Sequence, residues 1–292
     1  MPRTNKMIHV LEQDEIVIFT TTEELDYQSG VEMSKTWADA ILVDFEHDPF
    51  DTIGLKSFMK GISDGFITNN LDFMPSVITT LPSNCMTPEE VLYNSWQVRH
   101  VLGVGVHGVL HTHARTPEAV KTFISTTRYP FNNLGLNQGL NEGLRGSGGQ
   151  DFASKIWQMN TDEYLSKADP WPLNPDGELI LGLKIEDKFC LEMAPEITKI
   201  PGIAFAEWGP GDMGMSFGFP DAHDPPYPKE MDMARDLIKL ECDKNGMAFY
   251  SSWRDPSMSE KDQIKYAIQV VGARIVMVES MELATFARSL KE

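Results

Sequence analysis

Eight short apolar runs that mostly alternate with helical stretches predict an α/β protein built as a parallel (β/α)8 barrel. Three observations carry that reading. The runs are rich in β-branched and aromatic residues, as buried strands are. Helix-start chemistry or helical spacing follows most of them. Charged residues and histidines gather at the C-terminal ends of the runs, the end that carries the active site in such a barrel. The length of 292 residues suits one barrel, and no linker or internal repeat divides the chain, so residues 1–292 are expected to form one barrel domain. A doubly wound open sheet is the alternative. It would want a glycine-rich loop after the first strand, and Thr20-Thr21-Thr22-Glu23 is not one. The Gly103-Val104-Gly105 segment follows a helix rather than a strand and is discounted as a phosphate loop.

In chain order the strands read Glu15 to Thr21, Ala40 to Phe45, Ser76 to Leu81, Gly108 to His111, Leu179 to Ile185, Ile203 to Trp208, Met247 to Ser251 and Arg274 to Val278. Val31 to Ala38 and Leu55 to Ile62 read as helices, the second from Leu55, Phe58, Met59 and Ile62 at helical spacing. Thr87-Pro88-Glu89-Glu90 opens a helix to about Leu102, with a Thr cap, Pro in the first position and acids in the first turn. Thr116-Pro117-Glu118 repeats that chemistry. From Tyr129 to Gly149 the pattern breaks into Asn, Gly and Gln, and a loop over the active-site face is expected there. Asp151 to Ser166 reads as a helix and Asp169-Pro170-Trp171-Pro172 as a rigid connector. Helices follow at Lys229 to Asn245, ended by Gly246, at Ser259 to Val271, ended by Gly272, and at Met281 to Leu290.

Composition narrows the setting. Lys plus Arg number 25 against 43 Asp plus Glu, a formal charge of −18, which argues against nucleic acid and anionic membrane as partners. Cys85, Cys190 and Cys242 are scattered and odd in number, so buried thiols in a reducing compartment are expected. The first fifteen residues lack an apolar signal-peptide core, and no apolar run reaches the length of a membrane span. A cytoplasmic protein is expected.

The stretch Leu179 to Gly218 frames the chemistry. Its two strands each hand over an acid at the C-terminal end, Glu186 after the first and Asp212 after the second. Converging carboxylates repel unless a cation lies between them, so the pair points to a divalent metal, with two surface acids as the bland alternative. Asp44-Phe45-Glu46-His47 offers a general-base candidate with acids to orient it, although an isolated pattern of this kind also fits a structural histidine.

Together the motifs resemble the HpcH/HpaI aldolases, class II pyruvate aldolases. Leu42-Val43-Asp44-Phe45-Glu46-His47, Arg128-Tyr129-Pro130, Arg145-Gly146, Lys184-Ile185-Glu186 and Pro201-Gly202 leading to Gly209-Pro210-Gly211-Asp212-Met213 occur in the family's order, from about Glu15 to Leu290. The resemblance implies a divalent ion, Mg, Mn or Co, held by Glu186 and Asp212. It implies His47, oriented by Asp44, as acid/base, and backbone N–H groups around Gly209 to Asp212 for the carboxylate of a 2-oxo acid. Trp208, Pro210 and Gly211 are the substrate-facing positions it suggests, and Thr80 occupies another; His111 and His113 share a face if the fourth strand extends that far, and could line the pocket, enlarge the metal shell or be structural. The implied reaction cleaves or forms a 4-hydroxy-2-oxo acid from a 2-oxo acid and an aldehyde, through a pyruvate-type enolate. A homo-oligomer, hexamer or trimer, with the last helix packing on a neighbouring subunit, is the implied assembly.

The chain departs from the pattern in four places. Thr80 stands where the family's third strand ends in arginine, and Gly103 where an aspartate precedes the fourth strand. His111-Thr112-His113 replaces a PHV-like segment, and Lys184 replaces the glutamine of a QIE pattern. Two residues apart on a strand, Lys184 and Glu186 should both point inward, so the ammonium could replace part of the lost charge, meet a substrate carboxylate, or pair with Glu46. A Schiff-base role for Lys184 fits less well beside metal carboxylates. Arg115 and Arg145 are further candidates for the lost arginine. Two other functions remain open from the sequence: a metal-dependent barrel acting on another carboxylate substrate as decarboxylase, hydrolase or other lyase, and an inactive barrel with a binding role.

Overall fold

The structure is a computed structural model and describes residues 3–290. Eight parallel strands close into a barrel: β1 (Val17–Thr21), β2 (Ala40–Val43), β3 (Ser76–Thr79), β4 (Gly108–His111), β6 (Leu179–Lys184), β7 (Phe205–Trp208), β8 (Ala248–Ser251) and β9 (Ile275–Met277). The pairing of β4 with β6 and of β1 with β9 completes the ring. The expected barrel is therefore borne out, with strand ends within one or two residues of the apolar runs. The short β5 (Pro170–Trp171) pairs with the start of β6, in the segment read from sequence as a connector.

Strand alternation sorts the core into two clusters. Phe19, Leu42, Ile78, Leu110, Phe205 and Tyr250 fill the lumen. Their neighbours, such as Ile18, Ile41, Val77, Val109 and Ala206, face the surrounding helices. Gly182 makes room for this packing, since a Cβ there would lie 2.3 Å from the Phe205 ring. One step further along the strands the inward phase turns polar, at Asp44, Thr80, Lys184, Glu207 and Ser252. The apolar lumen is thus the floor on which the site stands.

The N-terminal end of the barrel is plugged by α1 (Lys6–Glu12), which the sequence reading did not foresee. Asn5 caps this helix, and its Nδ2 donates to the carbonyls of His107 and Glu178 at 3.2 and 3.1 Å. Met7 and Ile8 are fully buried beneath the lumen. The helices α2 (Tyr27–Met33), α3 (Thr52–Thr68), α4 (Pro88–Gly103), α5 (Pro117–Thr127), α6 (Gln150–Ile156), α7 (Thr161–Lys167) and α8 (Lys188–Ile197) follow in order. Residues 151–166, read as one helix, are two, α6 and α7, broken at Gln158 with φ 56°. After β7 comes α9 (Pro210–Phe217), started by proline. The chain ends with α10 (Lys229–Lys244), α11 (Glu260–Lys265), a π-helical turn at Tyr266–Val270 and α12 (Met281–Ser289). Leu283, Ala284 and Ala287 of α12 are buried against its own barrel, and Arg288 Nη2 meets Asp39 Oδ1 at 2.9 Å.

One expectation is corrected. The loop at 129–149 does not cover the C-terminal face. It follows α5, which returns to the N-terminal end, and it is pinned there. Arg128, fully buried, pairs with Asp169 just before β5 at 2.7 Å and donates to the Leu134 carbonyl at 2.8 Å. Arg145 lies over the Tyr129 ring at 4.6 Å and donates to Tyr164 Oη at 2.6 Å. Both arginines are therefore structural, and Arg145 is at the wrong end to replace the missing arginine of the site. Among the described residues no helix is long and apolar enough to cross a membrane. Removing one partner from a buried ion pair strands the other charge. Arg128→Ala should therefore lower the unfolding free energy by about 3–5 kcal/mol in urea titration, while a loss under 1 kcal/mol would remove the pair from its anchoring role.

Candidate active site

The site is assembled where β2, β6 and β7 reach the C-terminal face. Beyond β2 the chain turns through Asp44-Phe45-Glu46-His47, and Thr80 at the end of β3 holds that turn. Thr80 Oγ1 accepts from the N–H groups of Phe45 and Glu46, at 2.7 and 2.9 Å, and donates to Asp44 Oδ1 at 2.7 Å. Thr80 is thus a hub for the loop carrying His47. It is 2 % exposed and contacts the loop rather than the open site.

Asp44 Oδ2 lies 2.8 Å from His47 Nδ1, which leaves Nε2 free on a side chain that is 61 % exposed. Partial burial of His47 favours the neutral ring, but the bond to Asp44 and the charges of Asp44 and Glu46 outweigh it, so its pKa is raised. Burial alone would raise Asp44, yet its bonds to His47 and Thr80 hold it below the usual carboxylate range.

Lys184 and Glu186 both point into the lumen, as strand alternation requires. Lys184 Nζ donates to Glu46 Oε2 and lies 3.2 Å from Glu186 Oε1. The pairing with Glu46 is one of the alternatives left open by the sequence, and the ammonium also faces Glu207. Burial would push Lys184 toward the neutral amine, but the charges of Glu207, Glu186 and Glu46 keep it protonated, far above its ordinary value. A neutral nucleophilic amine is not what this surrounding favours.

Glu207 escaped the sequence reading. Its signal was available: it alternates with the inward Phe205 on β7, and it is the register partner of Lys184 across the β6–β7 pair. Ser252 Oγ donates to Glu207 Oε1 from the end of β8. Burial raises the pKa of Glu207, with Lys184 and Ser252 opposing that rise.

Glu186 is 1 % exposed, and its pKa is well above normal because of burial and the charges of Glu207, Glu46 and Asp212, against the pull of Lys184. Its Oε1 is a buried acceptor with no hydrogen-bond donor in usable geometry. Asp212 lies in the first turn of α9, and ligand atoms of Glu46, His113, Glu186 and Asp212 fall within 4.8 Å of one another. Glu46, Glu186 and Glu207 face one ammonium here, Asp212 adjoins the first two, and the donor set is mostly hard oxygen. These residues fit a divalent cation. Gly209 is part of that fit, since a Cβ would lie 2.2 Å from Glu186 Oε2. No side chain caps α9, so N–H groups of its first turn are open to an anion at the same spot.

Other expected positions divide. His113 reaches the site: its Nδ1 lies 3.2 Å from Asp187 Oδ2, and it joins the cluster above. His111 does not. It points outward from β4, is buried edge-on against Phe123 of α5 with ring centroids 4.8 Å apart, and burial pushes its pKa down to about 3. The two histidines were expected to share a face, but β4 ends at His111 and His113 turns into the left-handed region with φ 48°. Trp208 also points outward, packed on Tyr227 with centroids 5.4 Å apart, so only its backbone borders the site. Pro210 and Gly211 lie at the α9 N-terminus beside Asp212 as expected. Arg115 is held by Asp187 at 2.9 Å over the Phe189 ring, on the rim rather than at the acid cluster.

No family model matches the chain. The 2-keto-3-deoxy-L-rhamnonate aldolase of Klebsiella pneumoniae is 25% identical over 164 residues, covering 56% of this chain and 54% of that protein. The chain thus spans about half the length of the curated relatives it matches. In structure it is similar to an HpcH/HpaI aldolase/citrate lyase family protein from Burkholderia cenocepacia, with TM-score 0.70, 17% identity and coverage of 99% and 97% of the two chains. An HpcH/HpaI aldolase from Desulfitobacterium hafniense matches with TM-score 0.70, 16% identity and coverage of 98% and 95%. The fold is that of the HpcH/HpaI aldolase/citrate lyase proteins. The resemblance to the HpcH/HpaI aldolases seen in the sequence is borne out.

Two variants probe the His47 loop. Thr80→Val removes the hub and leaves two N–H groups and Asp44 short of a partner. It should destabilise the protein by about 1–3 kcal/mol in thermal or urea unfolding, and an unchanged midpoint would show that water replaces the hydroxyl. Asp44→Asn withdraws the bond and the charge that raise His47. If neutral His47 is the base, the acidic limb of kcat/KM should move to lower pH in this variant, and a limb that stays in place would exclude His47 from that role.

Proposed function

We propose that the protein is a divalent-metal-dependent carbon–carbon lyase that cleaves or forms a 4-hydroxy-2-oxo acid. The observation that carries this reading is the buried Glu186 carboxylate, whose Oε1 has an ion-pair contact with Lys184 but no hydrogen bond, converging with Asp212 beside a carboxylate-oriented histidine. Glu186 and Asp212 would hold the cation, with His113 as a neighbouring donor, and Mg, Mn or Co suits the set. When bound, the cation supplies Lewis acidity toward the keto oxygen of a 2-oxo acid.

The remaining work falls to the chain. The first-turn N–H groups of α9, at Gly211 and Asp212, are suited to the substrate carboxylate. His47 Nε2 takes the proton of the 4-hydroxyl as the C3–C4 bond breaks and returns it in the reverse direction. Asp44 holds the imidazole in the tautomer that leaves Nε2 available. Lys184, kept protonated by its acids, supplies positive charge next to the keto oxygen, where the family arginine would otherwise act. We further propose that the chain is a single barrel domain working in the cytoplasm as a homo-oligomer. The reading of the acid cluster as an aldolase site is supported by the partial match to an aldolase and by the shared fold.

Exchange of the C3 protons of pyruvate in D2O with Mn2+ tests the reading by NMR. Exchange that stops on chelation is expected. Tight metal binding without exchange would replace it with a lyase, hydrolase or decarboxylase acting on another carboxylate, and failure to bind metal would leave a barrel with a binding role. Lys184→Ala should lower the exchange rate by about 10²-fold while changing metal affinity much less, and an unchanged rate would remove Lys184 from the chemistry.

A further inference from the structure

β8 and β9 are the most sparsely paired neighbours in the ring. These strands share one register pair, Tyr250 with Ile275, whereas β7 and β8 share four. A crevice of about 390 Å³ lies along this pair, within the roughly 300–1,000 Å³ usual for small-molecule sites. Its lumen side is formed by Tyr250 and Ser252, and Ser252 is bonded to Glu207 in the acid cluster. Its far side lies in the helix layer, against Ile264, Ala267 and Leu283. Ala267 belongs to the π-helical turn after α11, a local widening of the kind often found at functional sites. The rim carries Arg254 with Glu260 and Glu279, and Arg254 lies 3.7 Å from Glu279. Two acids against one arginine give this mouth no net attraction for a carboxylate.

We propose that this crevice binds the distal part of the aldehyde-derived half of the substrate, and that it selects an uncharged aliphatic chain. The proposal rests on the lyase reading and adds the substrate class to it. In the addition direction, C3 of the 2-oxo acid loses one proton and bonds to the aldehyde carbon, whose oxygen gains one proton. The aliphatic chain is unchanged and occupies the space between Ile264, Ala267 and Leu283. Each methylene that leaves water there should raise kcat/KM about threefold to fourfold until the crevice is full.

The test pairs turnover with direct binding. Addition of pyruvate to propanal, butanal, pentanal and hexanal should show the rise with length, and 6-oxohexanoate should react far more slowly than hexanal. Ala267→Phe and, independently, Leu283→Trp fill the crevice away from the acid cluster. Both should flatten the length dependence while leaving pyruvate proton exchange unchanged, with thermal unfolding reporting that each variant folds. A flat series in the unmodified protein, with exchange intact, overturns the crevice and spares the lyase reading. Titration calorimetry with hexanal decides the crevice even if exchange fails. Binding that both variants weaken at least tenfold supports it, and no binding, or binding that neither variant changes, overturns it.

Discussion

Three carboxylates facing one ammonium at the top of the lumen, with a fourth beside them, set the terms for the rest of this barrel. Glu46, Glu186 and Glu207 face Lys184, Asp212 adjoins Glu46 and Glu186, and burial and neighbouring charges push Glu186 and Glu207 toward protonation. Such an arrangement costs stability in the free protein. A cation held there would offset that cost, since a bound ion inverts the local electrostatics. The strands that carry these groups are rigid and their register is fixed, so the imbalance cannot relax by moving the acids apart. Gly209 keeps the backbone of β7 close enough to Glu186 for the carboxylates to converge.

The opposite end of the barrel carries much of the stability. There the α1 plug covers the lumen with Met7 and Ile8, the Asn5 side chain satisfies the buried carbonyls of His107 and Glu178, and the Arg128–Asp169 pair fastens the long loop. Charge is matched at this end and unmatched at the other. That asymmetry is the division of labour expected of a barrel enzyme, with loops on the C-terminal face free for chemistry.

Thr80 and Lys184 are best understood together. Thr80 braces the His47 loop through three hydrogen bonds and brings no charge to the end of β3. Positive charge is supplied two strands further round the ring by Lys184 on β6, and Glu207 across β6–β7 keeps that lysine company. The site keeps one cationic side chain, on another strand, so the pocket beside it need not accept the same partner. The crevice at β8 and β9 opens off this rearranged cluster through Ser252.

The sequence by itself determined the barrel, because strand and helix periodicities are local and each run carries its own signal. It also determined that Lys184 and Glu186 point inward, since alternation on one strand is a local geometric rule. Asp44 and His47 were legible for the same reason, being three residues apart. What spans strands was not. Glu207 became a site residue only through its register with Lys184, His111 and Trp208 left the site because strand phase aims them at the helices, and a left-handed turn separates His113 from His111. The 129–149 loop looked like a lid, as glycine and asparagine mark irregular backbone without saying which end of the barrel it serves. Only the return of α5 and the reach of Arg128 to Asp169, forty-one residues away along the chain, place it beneath the floor.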